Sequence, residues 1–100
     1  MASFRIAPAG PARLEASGEL DFATAAAALP AGLALLGPGA WVVNLAGVTA
    51  ADSAGLAVLL EWLAAVSEHG GSLVFESAPA QLMAIARISD LDELLFAQSG

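Results

Sequence analysis

The sequence predicts an α/β fold with a four-stranded mixed sheet, in the element order β-β-α-β-α-β-α-α. Two short alternating segments joined by "APAGPA" indicate an antiparallel hairpin near the N-terminus. The near-continuous apolar run "AWVVNLAGV" is typical of a central strand covered on both faces. A long apolar-periodic segment between this run and a later strand predicts a right-handed βαβ unit over residues 41–77.

Each predicted strand is short, apolar on at least one face and bounded by turn residues. The strands are predicted at 3–8, 12–20, 40–48 and 72–77, with "TAA" after the third as a loop. Each predicted helix has a capping residue at its start. The helices are predicted at about 22–36 and 53–69, from Ser77 to about Arg87, and from Ser89 or Asp90 to Leu95.

Proline, glycine and capping residues set the ends of the helices. Asp21 can cap the first helix, whose alanines favour helix, and Pro30 should kink or split it. The sequence "GPG" ends that helix, and Gly70-Gly71 ends the second. Ser77 before Pro79 is a good cap and first-turn pair for the third.

Composition indicates one acidic domain over residues 1–100. The chain has 58% hydrophobic residues, enough for one core, and no cysteine, which excludes disulfides and thiolate metal sites. Three arginines face ten acidic residues, for a net charge of -7. This charge repels phosphate backbones and anionic lipid heads, so we expect no nucleic acid as a partner. A protein with a basic patch suits the surface better.

Residues 22–51 carry no charge, which raises the question of a membrane span. A span needs about 20 strongly apolar residues in a row. Here the first half is mostly alanine, contains Pro30, and is broken at Gly37-Pro38-Gly39. We therefore expect no direct membrane insertion. The N-terminal "MASFRIAPAG" also lacks the apolar core of a signal peptide.

The pair Asp52-Ser53 is the strongest candidate for chemistry, and geometry argues against catalysis. The only histidine, His69, lies 16 positions along the same predicted helix. At about 1.5 Å of rise per residue the two lie roughly 24 Å apart, whereas a catalytic dyad needs about 3 Å. The carboxylate groups at 19–21 and 90–93 lack a nearby histidine or cysteine, and no phosphate-binding loop is present. We expect no catalytic residue, metal or cofactor.

Helix capping explains Asp52 without any function. Its side chain can accept a backbone N–H of the first turn and favours the helix dipole, which together stabilise by roughly 1–2 kcal/mol. Gly55 would let the helix start lie close to a neighbouring strand. Capping by Asp52 does not explain why the next residue, Ser53, carries a hydroxyl group.

A helical wheel of residues 53–69 shows apolar residues on two sides. A leucine-rich stripe should pack on the sheet and contains Leu56, Leu59, Leu60, Leu63 and Val66. Val58 and Ala65 then point away from the sheet, with Ala54 beside them and Trp62 on the flank. Trp62 could simply fold over the edge of the core. Alternatively, it anchors a docking patch with Glu61 at the rim.

Three segments resemble the STAS domains of the anti-sigma-factor-antagonist family. They are "SGELD" at 17–21, "VNLAGVTAADSAGLAVLLEWL" and "LMAIARISDLDELL", and their order spans nearly the whole chain. The resemblance implies a four-stranded mixed sheet with helices mainly on one face. In phospho-regulated members the loop reads Asp-Ser-Ser/Thr-Gly, and its second hydroxyl takes the phosphate. Ala54 stands there, and Ser53 occupies the preceding position.

A single hydroxyl followed by a small residue and Gly-Leu-Ala is similar to the MlaB-type group. That resemblance implies a cytoplasmic subunit, peripheral at the inner membrane, of the ABC transporter that moves phospholipids for outer-membrane asymmetry. It implies an interface role for Ser53 against the ATPase, with Asp52 ordering the loop. The predicted partner-binding residues are Asp52, Ser53, Ala54, Gly55, Val58, Glu61, Trp62 and Ala65.

Two other functions stay open at the sequence level. One is an anti-sigma-factor antagonist that binds an anti-sigma kinase, with Ser53 as a possible phosphosite. A phosphate there would add about two negative charges to the docking surface. The other is a module that binds a nucleotide or lipid at the loop end of the sheet, for which no residue pattern marks a pocket.

Overall fold

The structure, a computed structural model, describes residues 3–96. Its four strands and four helices follow the predicted order. The strands are β1 (Phe4–Pro8), β2 (Arg13–Leu20), β3 (Ala40–Ala51) and β4 (Ser72–Glu76). The helices are α1 (Ala25–Leu35), α2 (Ser53–Glu68), α3 (Ala80–Ile88) and α4 (Asp92–Leu95).

The strands form one mixed sheet in the order β1-β2-β3-β4. The β1–β2 pair is the antiparallel hairpin, whereas β2–β3 and β3–β4 are parallel. A parallel neighbour needs a crossover, and α1 and α2 provide the two crossovers. The predicted α/β fold is therefore confirmed.

Only one face of the sheet is covered by helices, so the expectation that the third strand is covered on both faces is wrong. The covered face carries fully buried side chains such as Val43 and Leu45. On the opposite face of β3, Asn44 is half-buried and Ala46 is exposed. Alanine and glycine in the run tolerate water, which is why an apolar stretch alone could not distinguish one covered face from two.

The predicted loop at 49–51 is strand, because β3 continues alongside β2. Glu19 pairs with Ala50 and Leu20 with Ala51 at the end of the ladder. This extension carries the end of β3 to Asp52, directly before α2. The register of β2 and β3 shifts twice on the way, between Glu15 and Ser17 and between Gly18 and Glu19.

The first helix begins three residues later than predicted and is not split. Asp21 accepts the N–H groups of Ala23 (3.0 Å) and Thr24 (3.2 Å), so it stabilises the turn that leads into α1. Pro30 lies inside α1, which continues to Leu35. Pro30 and Ala26 are both exposed, so water can satisfy the Ala26 carbonyl that lost its helical partner.

The predicted caps of the last two helices are wrong. Ser77 and Asp90 adopt the left-handed conformation, with φ of 59° and 58°, and turn the chain ahead of each helix. The helices then begin at Ala80 and Asp92 without a side-chain cap. Both residues are polar turn formers, and the sequence alone did not separate turn from cap.

None of the helices within residues 3–96 is long and apolar enough to cross a membrane. Within the same residues, no group of three or more histidine, cysteine, aspartate or glutamate side chains could hold a metal ion.

Candidate docking site at the start of α2

Asp52 holds the start of α2 and also ties it to the segment before α1. Its Oδ1 accepts the N–H groups of Ala54 (2.9 Å) and Gly55 (3.1 Å), which confirms the predicted cap. Its Oδ2 accepts the N–H of Phe22 at 3.1 Å, a contact that the sequence did not suggest. One carboxylate therefore fixes two backbone segments 30 residues apart.

Gly55 allows α2 to begin against the end of β2. A Cβ atom at this position would overlap the backbone carbonyl oxygen of Leu20. The predicted close approach of α2 to β2 is therefore present, and it sets the distance between the start of α2 and the sheet.

Ser53 is the first residue of α2 and is exposed to solvent. Its neighbour Asp52 is half-buried and fully engaged with backbone N–H groups. A partner can therefore reach the hydroxyl while the loop under it stays fixed.

The prediction that Val58 and Trp62 lie on an exposed outer face is wrong. Val58 is 4% exposed and Trp62 0%. The Trp62 indole N–H donates to the Leu29 carbonyl of α1 at 3.0 Å. The indole also lies beside the rings of Phe4 and Phe75, with centroids 6.2 and 6.4 Å away. Both residues belong to the core, where Trp62 has no exposed surface and Val58 almost none.

Packing by α1 is the reason for this correction. The inward direction of α2 is rotated by about 60° from the centre of the leucine stripe, at 100° per residue. Helix α1 contacts α2, and Gly32 of α1 leaves room for the Trp62 indole. Leu60 and Leu63 are in turn only half-buried. A helical wheel does not contain the position of a second helix.

The exposed side of α2 is defined here as its outer face. It consists of Ser53, Ala57, Glu61, Ala64, Ser67 and Glu68. Ala54 and Ala65, both predicted to be exposed, are half-buried at its margins. Ser53 and Glu61 therefore lie on one face as predicted. The exposed alanines of that face, Ala57 and Ala64, were not among the predicted partner-binding residues.

An apolar groove of about 460 Å³ lies between α1 and α2, next to the outer face. We refer to it as the α1–α2 groove. Its lining residues are Phe22, Ala25, Ala26, Leu29, Ala54, Ala57, Val58 and Glu61. Phe22 is 84% exposed although Asp52 holds its backbone. The α1 half was missed, although an uncharged segment beginning with phenylalanine was a usable signal.

The surroundings of the groove are acidic. Glu61 is the one charged residue among those that line it. Residues 14–86 contain no lysine or arginine, so neither helix that forms the groove contributes one. The groove therefore has a largely uncharged wall with carboxylates beside it. Such a surface favours a partner whose apolar residues are flanked by positively charged ones.

The site does not bring together a nucleophile and a base. Ser53 begins α2, and His69 follows its last residue, so the helix separates them along its full length. This agrees with the sequence argument against a serine–histidine dyad.

Comparisons with known protein families and solved structures indicate the family to which the chain belongs. The family described as "Mlab, STAS domain" matches residues 5–96. No curated protein sequence matches the chain significantly. A solved sulfate transporter family protein from Wolinella succinogenes is similar at a TM-score of 0.66 and 20% identity, covering 91% of this chain and 75% of its own.

The anti-sigma factor antagonist SpoIIAA, solved in its unphosphorylated form, is similar at a TM-score of 0.63 and 12% identity. The match covers 98% of this chain and 90% of SpoIIAA. At such identities the two solved structures show a shared fold, whereas the family match extends over nearly all of the sequence. The chain belongs to the STAS domain family, of the MlaB type.

Proposed function

We propose that this protein is a non-catalytic STAS subunit that binds and stabilises the ATPase of an ABC transporter for phospholipids. Domains of this family are generally interaction modules, and the MlaB-type match supports the transporter setting. The observation that carries the proposal is the exposed Ser53 at the head of the outer face of α2. In this proposal the protein is cytoplasmic and reaches the inner membrane through its partner.

The chemistry of the outer face suits a partner that approaches closely. Ala57 and Ala64 are small and uncharged, so a partner helix could come within contact distance of the α2 backbone. Ser53 would add a hydrogen bond at one end of this contact, and Glu61 would select a basic group. Trp62 and Val58 support the face from beneath.

Co-purification tests the proposal. The chain would be co-expressed with the ATPase encoded beside it, and the ATPase would be captured through a tag on this protein. Ser53→Arg and Ala57→Arg each place a bulky charge on the outer face and should abolish capture. Ala84→Arg is the matched control, since Ala84 is exposed on α3, away from the site, and should retain capture.

Circular dichroism should be unchanged in all three variants, because each substituted residue is exposed. Capture of the ATPase by both Ser53→Arg and Ala57→Arg would remove the outer face from the proposal. A genome in which no ATPase or permease gene lies nearby would argue against the transporter setting itself.

A second candidate is an anti-sigma-factor antagonist that binds an anti-sigma kinase. The exposed Ser53 hydroxyl at a helix N-terminus favours it, because the helix dipole would stabilise a phosphate there. Incubation with the cognate kinase and ATP, followed by mass spectrometry, separates the two. Stoichiometric phosphate on Ser53 would favour the antagonist, and an unmodified chain favours the transporter subunit.

A further inference from the structure

The α1–α2 groove presents an aromatic ring to solvent on a backbone that is already fixed. Phe22 is 84% exposed, and its N–H is bound by Asp52 at 3.1 Å. Covering an exposed large apolar side chain makes the free energy of binding more favourable. Because the segment is held in place, covering the ring costs little additional ordering of the backbone.

The rest of α1 continues this uncharged surface. Its exposed residues carry no charge, and they are Ala26, Ala27, Ala31, Ala34, Leu33 and Pro30. Helices that face water normally carry charged side chains on that face. In a protein of net charge -7, the uncharged α1 residues that border the groove indicate a surface that another molecule covers.

Charge restricts what that molecule can be. Glu61 lines the groove, while Asp21 and Asp52 adjoin Phe22 at its end. An anionic membrane surface would be repelled by these carboxylates. A second copy in a two-fold contact would place the same carboxylates against each other. A polypeptide with positive charges beside its apolar residues would not be repelled in either way.

We propose that the α1–α2 groove binds a basic amphipathic helix of the partner protein. This inference rests on the proposed function and names the partner's contact chemistry at that site. One side of the groove runs from Phe22, just before α1, to Leu29 of α1, and the other runs from Ala54 to Glu61 along α2. Seven residues of helix span about 10 Å, or two turns. Leucine-type residues at i, i+4 and i+7 would fill the groove, and flanking lysine or arginine would pair with Glu61.

The first test uses synthetic helical peptides rather than the partner. One peptide carries leucine on one face and lysine on the other, and a second has glutamate in place of every lysine. Isothermal titration should show saturable 1:1 binding of the leucine–lysine peptide only. NMR shifts of the Leu29 and Val58 methyl groups should locate it in the groove.

Variants separate the groove from general attraction to an acidic protein. Phe22→Ala and Ala26→Glu should each weaken binding at least about tenfold, the loss typical of a central anchor. Ala26→Glu is informative because it adds a negative charge and yet should weaken binding. Ala31→Glu adds the same charge to an exposed α1 position outside the groove, and it should bind as well as the unmodified protein.

Four results with the isolated protein would overturn the inference. They are equal binding of the glutamate peptide, unchanged affinity in both Phe22→Ala and Ala26→Glu, Phe22-dependent binding to phosphatidylglycerol vesicles, and a Phe22-dependent dimer in sedimentation equilibrium. The ATPase capture experiment separates the groove from the proposed function. Capture that is lost in Ser53→Arg but kept in Ala26→Glu leaves the proposed function intact and rejects the groove. Peptide binding without ATPase capture does the reverse.

Discussion

At the residue scale, the burial of Trp62 decides how the helix layer is built. The indole donates to the Leu29 carbonyl and lies against Gly32 of α1. The Trp62 indole therefore connects α1 and α2 and is not available to a partner. A tryptophan at an outward position of a helical wheel can be either a core residue or a partner anchor. Only the position of α1 distinguishes the two.

Gly32→Ala should destabilise the protein, although alanine is normally the better helix former by about 1 kcal/mol. A methyl group here overlaps the Trp62 indole, and such overpacking typically costs about 1–3 kcal/mol. Urea denaturation followed by tryptophan fluorescence measures the change. In a Trp62→Leu background the same substitution should become neutral or stabilising. An equal cost in both backgrounds would contradict the contact.

Gly55→Ala should lower the free energy of unfolding by about 1–3 kcal/mol, because the methyl group overlaps the Leu20 carbonyl. Gly37→Ala is the matched control. No atom lies within 4 Å of a Cβ built at Gly37, so we expect little change there. Chemical denaturation of both variants checks the contrast, and similar midpoints would refute the close approach of α2 to β2.

At the element scale, Asp52 couples the start of α2 to the segment that leads into α1. Oδ1 caps α2, and Oδ2 binds the Phe22 N–H. The cap was predictable, since aspartate directly before a periodic apolar run is a strong start signal. The link to Phe22 was not, because it joins segments that only the sheet brings together.

Replacing Asp52 should separate these two roles. Asp52→Asn keeps one oxygen that can cap α2 but replaces the other with an amide that cannot accept the Phe22 N–H. Asp52→Ala removes both contacts and should cost more, by about 1 kcal/mol. Hydrogen exchange of the Phe22 amide should accelerate in both variants. Unchanged protection in Asp52→Asn would show that Phe22 is held by something else.

At the scale of the whole molecule, charge is segregated. The three arginines lie at 5, 13 and 87, so two of them are on strands β1 and β2 and the third is on α3. On the sheet, Arg13 pairs with Glu76 across β3. The α1 and α2 layer contains no arginine or lysine. The α1–α2 side of the helix layer is therefore the acidic side, which faces the proposed partner.

Partner association should consequently slow as salt is added. Electrostatic steering by a net charge of -7 raises the association rate at low ionic strength, and ions screen it. Stopped-flow or surface-based kinetics with the ATPase should show a falling association rate and a nearly constant dissociation rate. Glu61→Gln should reduce this salt dependence, whereas Glu15→Gln on the sheet should change it less. An association rate independent of salt would contradict a basic partner surface.

Local patterns were sufficient for the elements themselves. Alternation, the apolar run at 40–48, the Asp52 cap and the glycine pairs predicted the strands, the helices and their order, because these features act over neighbouring residues. The resemblance added the open face of the sheet. Ser53 and Glu61 were found as exposed residues of the candidate site.

The sequence by itself thus determined the elements, their order, the cap at Asp52 and the exposed serine. Only the tertiary structure decided which side of α2 faces solvent, that Val58 and Trp62 are buried, and that Phe22 and α1 complete a groove. The physical reason is that periodicity along one helix records how many apolar sides it has. Which of those sides is covered depends on a second helix placed by strand pairing between residues far apart in the chain.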